Sequence, residues 1–503
     1  MNIERSAGIL LHPSSLPGPS GIGEIGPEAY AFVDWMAEAG FRYWQVLPLG
    51  PTGFGNSPYQ CHSVFAGNTN LISPQLLLRD GLLTQADLPE WPAHHDRNKV
   101  DYRSVIPSKK KVVARAWEIF ERQAPQRLRE AFEAFSHDNS DWLSAYGAFM
   151  ALKDRHRGAS VLTWPQGERS PLFASTMPPD LRDQMRPWSF GQWLFFRQWS
   201  ELREYASRRG VRFIGDAPIF VAMDSSDVWA DPELFCLDQS GVPLGVAGVP
   251  PDYFAPTGQL WGNPLYKWSQ HRGTGYAWWI RRLRALLGLV DLVRLDHFRG
   301  FGAYWEVPGS AATAETGRWQ PGPGADFLDA LVQGVSDTAE PTALPLIAED
   351  LGVVTPDVRR LLHTYDLPGM RVLQFAFTGL QEDFLPHNYP VNCVAYTGTH
   401  DNDTSRGWFS TAPEQERRAV LRYLGATEAD VVRAMIAATL RSKAVLAVLP
   451  MQDILDLGTE ARMNYPGRAQ GYWEWRLLPG SLNASLASEF RALNSATKRW
   501  VSA

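Results

Sequence analysis

Apolar positions along the chain follow two alternating patterns. Eight short runs are almost continuously apolar, and most end in Pro, Gly or a polar cluster: residues 8–16, 43–49, 211–220, 289–298, 344–350, 370–377, 393–400 and 444–455. Such runs suit parallel strands covered on both faces. Helical patterns lie between them. Residues 27–40 place Phe32, Val33, Met36 and Ala37 on one face and stop at Gly40. Residues 276–287 bring Trp279, Leu283 and Leu286 or Leu287 together just before a strand. Thr355 and Pro356 form an N-cap and first-turn pair, and the pattern over 190–209 leads into the third strand. Eight strands separated by helices predict an α/β chain folded as a (β/α)8 TIM barrel.

The repeat is not regular. About 140 residues separate the second strand from the helix before the third, and they hold charged helical stretches at 109–122 and 127–135. The pattern predicts a large, mostly helical insertion after strand 2, a subdomain over 61–189, with 1–60 and 190–503 forming the catalytic barrel. A second, loop-rich insertion after strand 3 is expected within the barrel over 225–268, where Pro, Gly, Trp and Tyr are plentiful.

Composition narrows the function. A hydrophobic fraction of 45% with 20% charged residues is ordinary for a globular protein. A formal net charge of -6 leaves no basic footprint, so nucleic acid is not an expected partner. The three cysteines, Cys61, Cys236 and Cys393, are far apart and form no CxxC pair, which argues against a disulfide framework or a zinc knuckle and for a reducing, cytoplasmic compartment. No apolar stretch approaches the ~20 residues that cross a bilayer, so no membrane association is expected. The 20 tryptophans often stand beside Gly, Pro or polar residues. Such flat, amphipathic rings suit sugars, although a large core would use them too.

One tempting motif fails. Gly21-Ile22-Gly23-Glu24-Ile25-Gly26 is a formal GxGxxG, but a Pro-rich loop separates it from the preceding strand, and the next strand ends Val46-Leu47-Pro48-Leu49 with no acid. A dinucleotide site needs both; a flexible loop before a helix is the better reading.

Active sites of this barrel lie at the C-terminal strand ends. Those ends carry Asp216, Asp296, Glu349 with Asp350, Asp401 and, late in the eighth run, Asp453. Any one could be a helix cap or an ion-pair partner; several on one rim point to chemistry. Two carboxyl groups about 5 Å apart are the minimum machinery of retaining glycoside chemistry, one attacking the anomeric carbon and the other protonating the leaving oxygen. Arg294, two residues before Asp296, shares its face of the strand and would favour the charged carboxylate. Glu349, behind Leu346-Ile347-Ala348, is a candidate for the acid. The residues alone leave open which acid takes which role.

Three strings now carry a resemblance: Val293-Arg294-Leu295-Asp296-His297-Phe298-Arg299-Gly300, Ala348-Glu349-Asp350-Leu351-Gly352 and Thr399-His400-Asp401-Asn402-Asp403. They resemble the signatures of the 4-α-glucanotransferases, also called amylomaltases or disproportionating enzymes, of the α-amylase clan. Gly55-Asn56-Ser57-Pro58-Tyr59, Ile214-Gly215-Asp216-Ala217-Pro218-Ile219, Trp261-Gly262-Asn263-Pro264-Leu265-Tyr266 and Ala461-Arg462-Met463-Asn464-Tyr465-Pro466-Gly467-Arg468 match too, and the likeness runs from His12 to Arg476. It implies that Asp296 is the nucleophile, Glu349 the general acid/base and Asp401 a third, stabilising carboxylate. It further implies that Ser57, Tyr59, Asp216, Asp252, Tyr253, Gln259, Trp261, Arg294, His297, His400 and Asn464 bind substrate. Tyr59 is expected as a stacking platform, the loop 250–254 with Gln259 and Trp261 as a cover over the donor and acceptor sites, and Asp453 as a structural rim residue. The expected substrates are maltooligosaccharides, amylose or glycogen-derived glucans. The reaction implied is transfer to a sugar 4-hydroxyl, with ring closure of long amylose as an extension, and neither metal nor cofactor. An α-glucan hydrolase and a catalytically silent glucan-binding protein are the competing readings.

Overall fold

The computed structural model describes residues 3–89, 96–251, 256–335, 344–352, 354–378, 381–468 and 471–500. In chain order its strands are β1 (Ser6–Leu10), β2 (Tyr43–Gln45), β3 (Arg212–Pro218), β4 (Gly245–Val249), β5 (Gln259–Pro264) and β6 (Leu292–Asp296). Then follow β7 (Ala303–Pro308), β8 (Arg318–Pro321), β9 (Leu346–Ala348), β10 (Gly369–Val372), β11 (Cys393–Tyr396) and β12 (Leu446–Pro450). Eight of these form one all-parallel sheet in the order β10-β11-β12-β1-β2-β3-β6-β9. Its two end strands meet where Ala348 N donates to Pro368 O at 2.9 Å, so the sheet curls into a (β/α)8 barrel.

Each of the eight predicted runs overlaps a barrel strand, the first and sixth starting just inside theirs, and most of the runs overshoot at the far end. The first, for example, pairs only as far as Leu10, although Leu11 and Leu16 beyond it are just as buried. Periodicity reports burial, and the loops at the rim are buried too. The helices fall where the 3.6-residue pattern placed them: Pro27–Glu38, Ala277–Leu289, Pro356–Thr364 and Met185–Arg208. Thr355 stands at the N-cap of the third, but its side chain makes no capping bond; Pro356 alone preorganises the first turn. Gly21–Gly26 is a loop leading into Pro27–Glu38.

Between β2 and β3 lie the helices Tyr102–Gln123, Gln126–Asp138, Ser140–Arg155 and Met185–Arg208. The first begins earlier than its charged stretch suggests, because the Asp101 side chain caps it by accepting from Arg103 N at 3.2 Å. Met185–Arg208 runs unbroken across the boundary expected at residue 190, and one hydrophobic core takes in Phe120 and Phe132 of this insertion, Trp193 of that helix and the barrel strands. The inserted helices therefore share the barrel's core rather than building a separate one.

The segment 225–268 is rich in loops but also holds two strands. It contributes β4 and β5 to a four-stranded antiparallel sheet of order β5-β4-β7-β8, completed by strands that follow β6. β5 hangs over the C-terminal end of the barrel and supplies one wall of the cavity there. Most of the tryptophans serve packing: Trp44, Trp164 and Trp199 are fully buried, and among the described residues only Trp261 and Trp473 line that cavity. No helix among the described residues is long and apolar enough to cross a membrane.

Candidate active site

A cavity of about 700 Å³ opens between the C-terminal strand ends and β5, a size suited to a small-molecule site. Its floor is built on β6. Strand alternation sends Val293 and Leu295 outward to the helices, where both are buried, and turns Arg294 and Asp296 the other way. Arg294 lies level with Asp216 in the β3–β6 register. Its Nη1 donates to both Asp216 oxygens at 2.8 Å, its Nη2 stands 2.9 Å from Asp296 Oδ1, and its Nε donates to Met370 Sδ at 3.3 Å. Each guanidinium nitrogen is thus engaged, which lets a cation sit inside a barrel at 3% exposure. Burial works against its charge, but Asp216 and Asp296 together outweigh that and hold its pKa well above the ordinary arginine value. Burial pushes Asp216 upward, and Arg294 opposes that shift.

Glu349 follows β9 and is held by two backbone amides: His297 N donates to Oε2 at 2.8 Å and Leu351 N to Oε1 at 2.7 Å. His297 adopts a left-handed backbone, φ 52°, uncommon for a residue with a side chain. Loss of hydration first, and the charge of Asp296 second, raise the Glu349 pKa to about 7 from an ordinary 4.5. The two amide bonds work the other way without cancelling this. The His297 imidazole, lowered to about 4 by burial, stays neutral, and its Nε2 is buried without a protein partner among the described residues.

Asp401 follows β11. Its Oδ1 accepts from Asn464 Nδ2 at 2.7 Å, and its main-chain oxygen accepts from Arg462 Nη2 at 2.8 Å. Its neighbour His400 is joined through Nε2 to the Tyr59 hydroxyl at 2.8 Å, and that hydroxyl donates to Asp216 Oδ2 at 2.8 Å. The Tyr59 ring lies parallel to His400, centroids 5.2 Å apart. One face of the expected platform is therefore taken by protein, and the phenol acts as a polar link between the Asp401 and Arg294 sides of the cavity.

Ser57 lines the same cavity and accepts from Tyr59 N at 3.2 Å. Gln259 and Trp261, both on β5, are joined by Trp261 Nε1 donating to Gln259 Oε1 at 3.2 Å, and the indole meets His297 edge-on at 4.9 Å. Asp252 and Tyr253 lie outside the described residues. The cavity thus gathers Asp296, Glu349, Asp401, Ser57, Tyr59, Gln259, Trp261, Arg294, His297, His400 and Asn464, with Asp216 directly beneath. Asp453 stays out of it, in the short helix Met451–Ile454 beyond β12, at 1% exposure.

Three residues in or behind the cavity wall carry no signal in the sequence strong enough to single them out. Asn263 donates to Val221 O at 2.8 Å and accepts from Gln60 Nε2 at 3.3 Å, tying β5 to the loop after β2. Trp473 packs against both Tyr59 and His400. Arg462 braces Asp401 and Asn464 through their main-chain oxygens. Asn263 and Arg462 stand in strings that carry the resemblance, but a string does not reveal which contacts a side chain makes. Among the described residues no group of three or more His, Cys, Asp or Glu side chains could hold a metal ion.

The sequence profile of the 4-alpha-glucanotransferase family matches residues 11–482. The chain belongs to the 4-α-glucanotransferase family. It is 48% identical to the 4-alpha-glucanotransferase of Thermus thermophilus across 99% of this chain and 100% of that one. It is 42% identical to the chloroplastic/amyloplastic 4-alpha-glucanotransferase of Solanum tuberosum across 98% and 85%. Its structure is similar to that of the amylomaltase from Streptococcus agalactiae in complex with acarbose, with a TM-score of 0.94 and 34% identity over 99% of this chain and all of that one. Membership of the 4-α-glucanotransferases makes this chain an enzyme that transfers segments of α-1,4-glucan.

Proposed function

We propose that the transfer runs by double displacement through a glycosyl ester on Asp296. In the first half, Asp296 attacks the anomeric carbon while Glu349 gives its proton to the departing 4-oxygen. In the second, Glu349 takes the proton of an acceptor's 4-hydroxyl as that oxygen displaces Asp296, which restores both groups. The observation that carries this assignment is that the two carboxyls share one cavity in opposite settings: Asp296 Oδ1 is ion-paired to Arg294 at 2.9 Å, while Glu349 is held by backbone amides and pushed up to about 7 by burial and the charge of Asp296. A carboxyl poised near neutrality can be acid in one half and base in the other.

Asp401, oriented by Asn464 and with 43% of its side chain exposed, is the group we assign to grip sugar hydroxyls as the ring flattens toward an oxocarbenium ion. The unpartnered His297 Nε2 is a further contact for a sugar hydroxyl. We propose maltooligosaccharides, amylose or glycogen-derived glucans as substrates. We also propose a cytoplasmic setting, which suits three free and widely separated thiols.

The test uses Glu349→Gln with α-maltotriosyl fluoride. Fluoride leaves without a proton, so the first half proceeds, while the second lacks its base and stalls. Peptide mass spectrometry should then find a maltotriosyl ester on Asp296. An ester on another carboxylate, or none while fluoride is released, would overturn the assignment.

A further inference from the structure

The seam of the barrel lies beside Glu349. β9 pairs with β6 but forms no ladder with β10. On the β6 side the main chain of residue 349 is held at both polar groups: Glu349 N donates to Leu295 O at 3.0 Å, and Phe298 N donates to Glu349 O at 3.1 Å. On the β10 side, beyond the Ala348 N to Pro368 O bond, the tie is a side chain. Asp350 Oδ1 accepts from Met370 N at 2.6 Å, and Oδ2 accepts from Arg371 Nη1 at 3.2 Å. Gly369 makes this possible, since a Cβ there would stand 2.5 Å from Asp350 Oδ2. The peptide anchored in this way leads into Leu351, whose amide holds Glu349 Oε1 at 2.7 Å.

We infer that Asp350 is a positioning residue for protonation of the leaving group: by clamping the β9–β10 seam it fixes the Leu351 amide and so the aim of the Glu349 carboxyl. The inference rests on the reading of Glu349 as the acid. Asp350 also ties down Met370, whose Sδ touches Arg294. Arg294 has Asp216 as a second and stronger hold, so loss of the clamp should fall on the acid rather than on Asp296.

Two donors separate these effects. Maltotriose needs a proton on its departing 4-oxygen, whereas α-maltosyl fluoride releases fluoride as the anion. The readout is kcat/KM for the first half-reaction, as initial glucose or fluoride release. Asp350→Ala should lower it about 100-fold for maltotriose and less than about 5-fold for the fluoride, the split expected when acid catalysis alone is lost. Asp350→Asn, whose amide oxygen can still accept from Met370 N, should recover most of the maltotriose activity. Should Asp350→Ala fail to fold, Gly369→Ala perturbs the same clamp from the other side and should give the same split. Equal losses on both donors, or no loss on maltotriose, would overturn the inference. Glu349→Ala is the control. If it spares fluoride release while Asp350→Ala does not, only the Asp350 inference fails. If Glu349→Ala abolishes fluoride release as fully as glucose release, the reading of Glu349 as the acid fails with it.

Discussion

Two kinds of acid end at the same rim of this barrel. Asp453, beyond β12, is sealed: its Oδ2 accepts from Thr397 Oγ1 and Ser405 Oγ, and its Oδ1 accepts from Ser405 N at 2.7 Å. Both oxygens are engaged, and the carboxyl fastens the turn after β11 and the start of the helix Ser405–Thr411 to the end of β12. Asp296 and Asp401 keep part of their side chains open to the cavity, 28% and 43% exposed. Each has an inward-facing partner, Arg294 or Asn464, that sets its orientation without covering it. Among these three acids the difference is one of exposure rather than location: Asp453, closed over by its protein partners, stabilises the fold, whereas Asp296 and Asp401, held from behind, stay open to a ligand.

Substitution at the two kinds of acid should break stability and activity apart. Asp296→Asn keeps the volume and a hydrogen-bond acceptor, so transfer from maltotriose should fall by on the order of 10⁴-fold or more with the melting temperature nearly unchanged. Asp453→Ala should do the reverse. It strands two hydroxyls and a backbone N–H in a buried place, which costs about 3 kcal/mol or more, so the melting curve shifts down while the folded fraction keeps its turnover. Thermal melts and product ladders on the two variants check this, and a stable but inactive Asp453→Ala would erase the distinction.

Protonation sharpens the same comparison. With its pKa raised to about 7, Glu349 is mostly protonated below neutrality and loses its proton as pH rises through about 7. The first half-reaction needs the protonated form, so kcat/KM for maltotriose should be flat on the acid side of this limb and fall about tenfold per unit above it. The limb should vanish with α-maltosyl fluoride. Asp453 is pushed upward by burial too, but it touches no substrate, and its titration should appear in stability rather than in rate.

What could be read from the chain follows from the same physics. The barrel was legible because a parallel sheet buried on both faces leaves near-continuous apolar runs. The antiparallel sheet was not. β4, Gly-Val-Ala-Gly-Val, is short and Gly-rich, β5 carries Trp261 and Asn263 into the cavity, and β7, the partner on the other side of β4, arrives only after β6, with β8 paired beyond it. No local pattern announces pairing across such a gap. At the site, two-residue alternation put Arg294 and Asp296 on one face, and their atoms lie 2.9 Å apart. Spacing offered no hint that Arg462 braces Asp401, because that contact is made by a loop brought back after β12. Tryptophan abundance pointed to sugar, yet the core uses most of the rings.

Trp261 is where the smallest effect is expected, and it tests the cavity's upper wall rather than its acids. Its indole hangs from β5, is joined to Gln259 and meets His297 edge-on. Transfer prevails over hydrolysis only if water reaches the glycosyl ester more slowly than an acceptor hydroxyl does. Trp261→Ala removes a large ring directly above His297 while leaving Asp296, Glu349 and Asp401 untouched, so the ester should still form at a similar rate. Its fate should shift, with the hydrolysed share of maltotriose products rising about threefold, since one opened wall weakens water exclusion without abolishing acceptor binding. Counting reducing ends against the ladder of longer oligomers measures that share. If the partition stays at the wild-type value while total turnover falls, the indole serves donor binding instead, and water is kept out by other walls of the cavity.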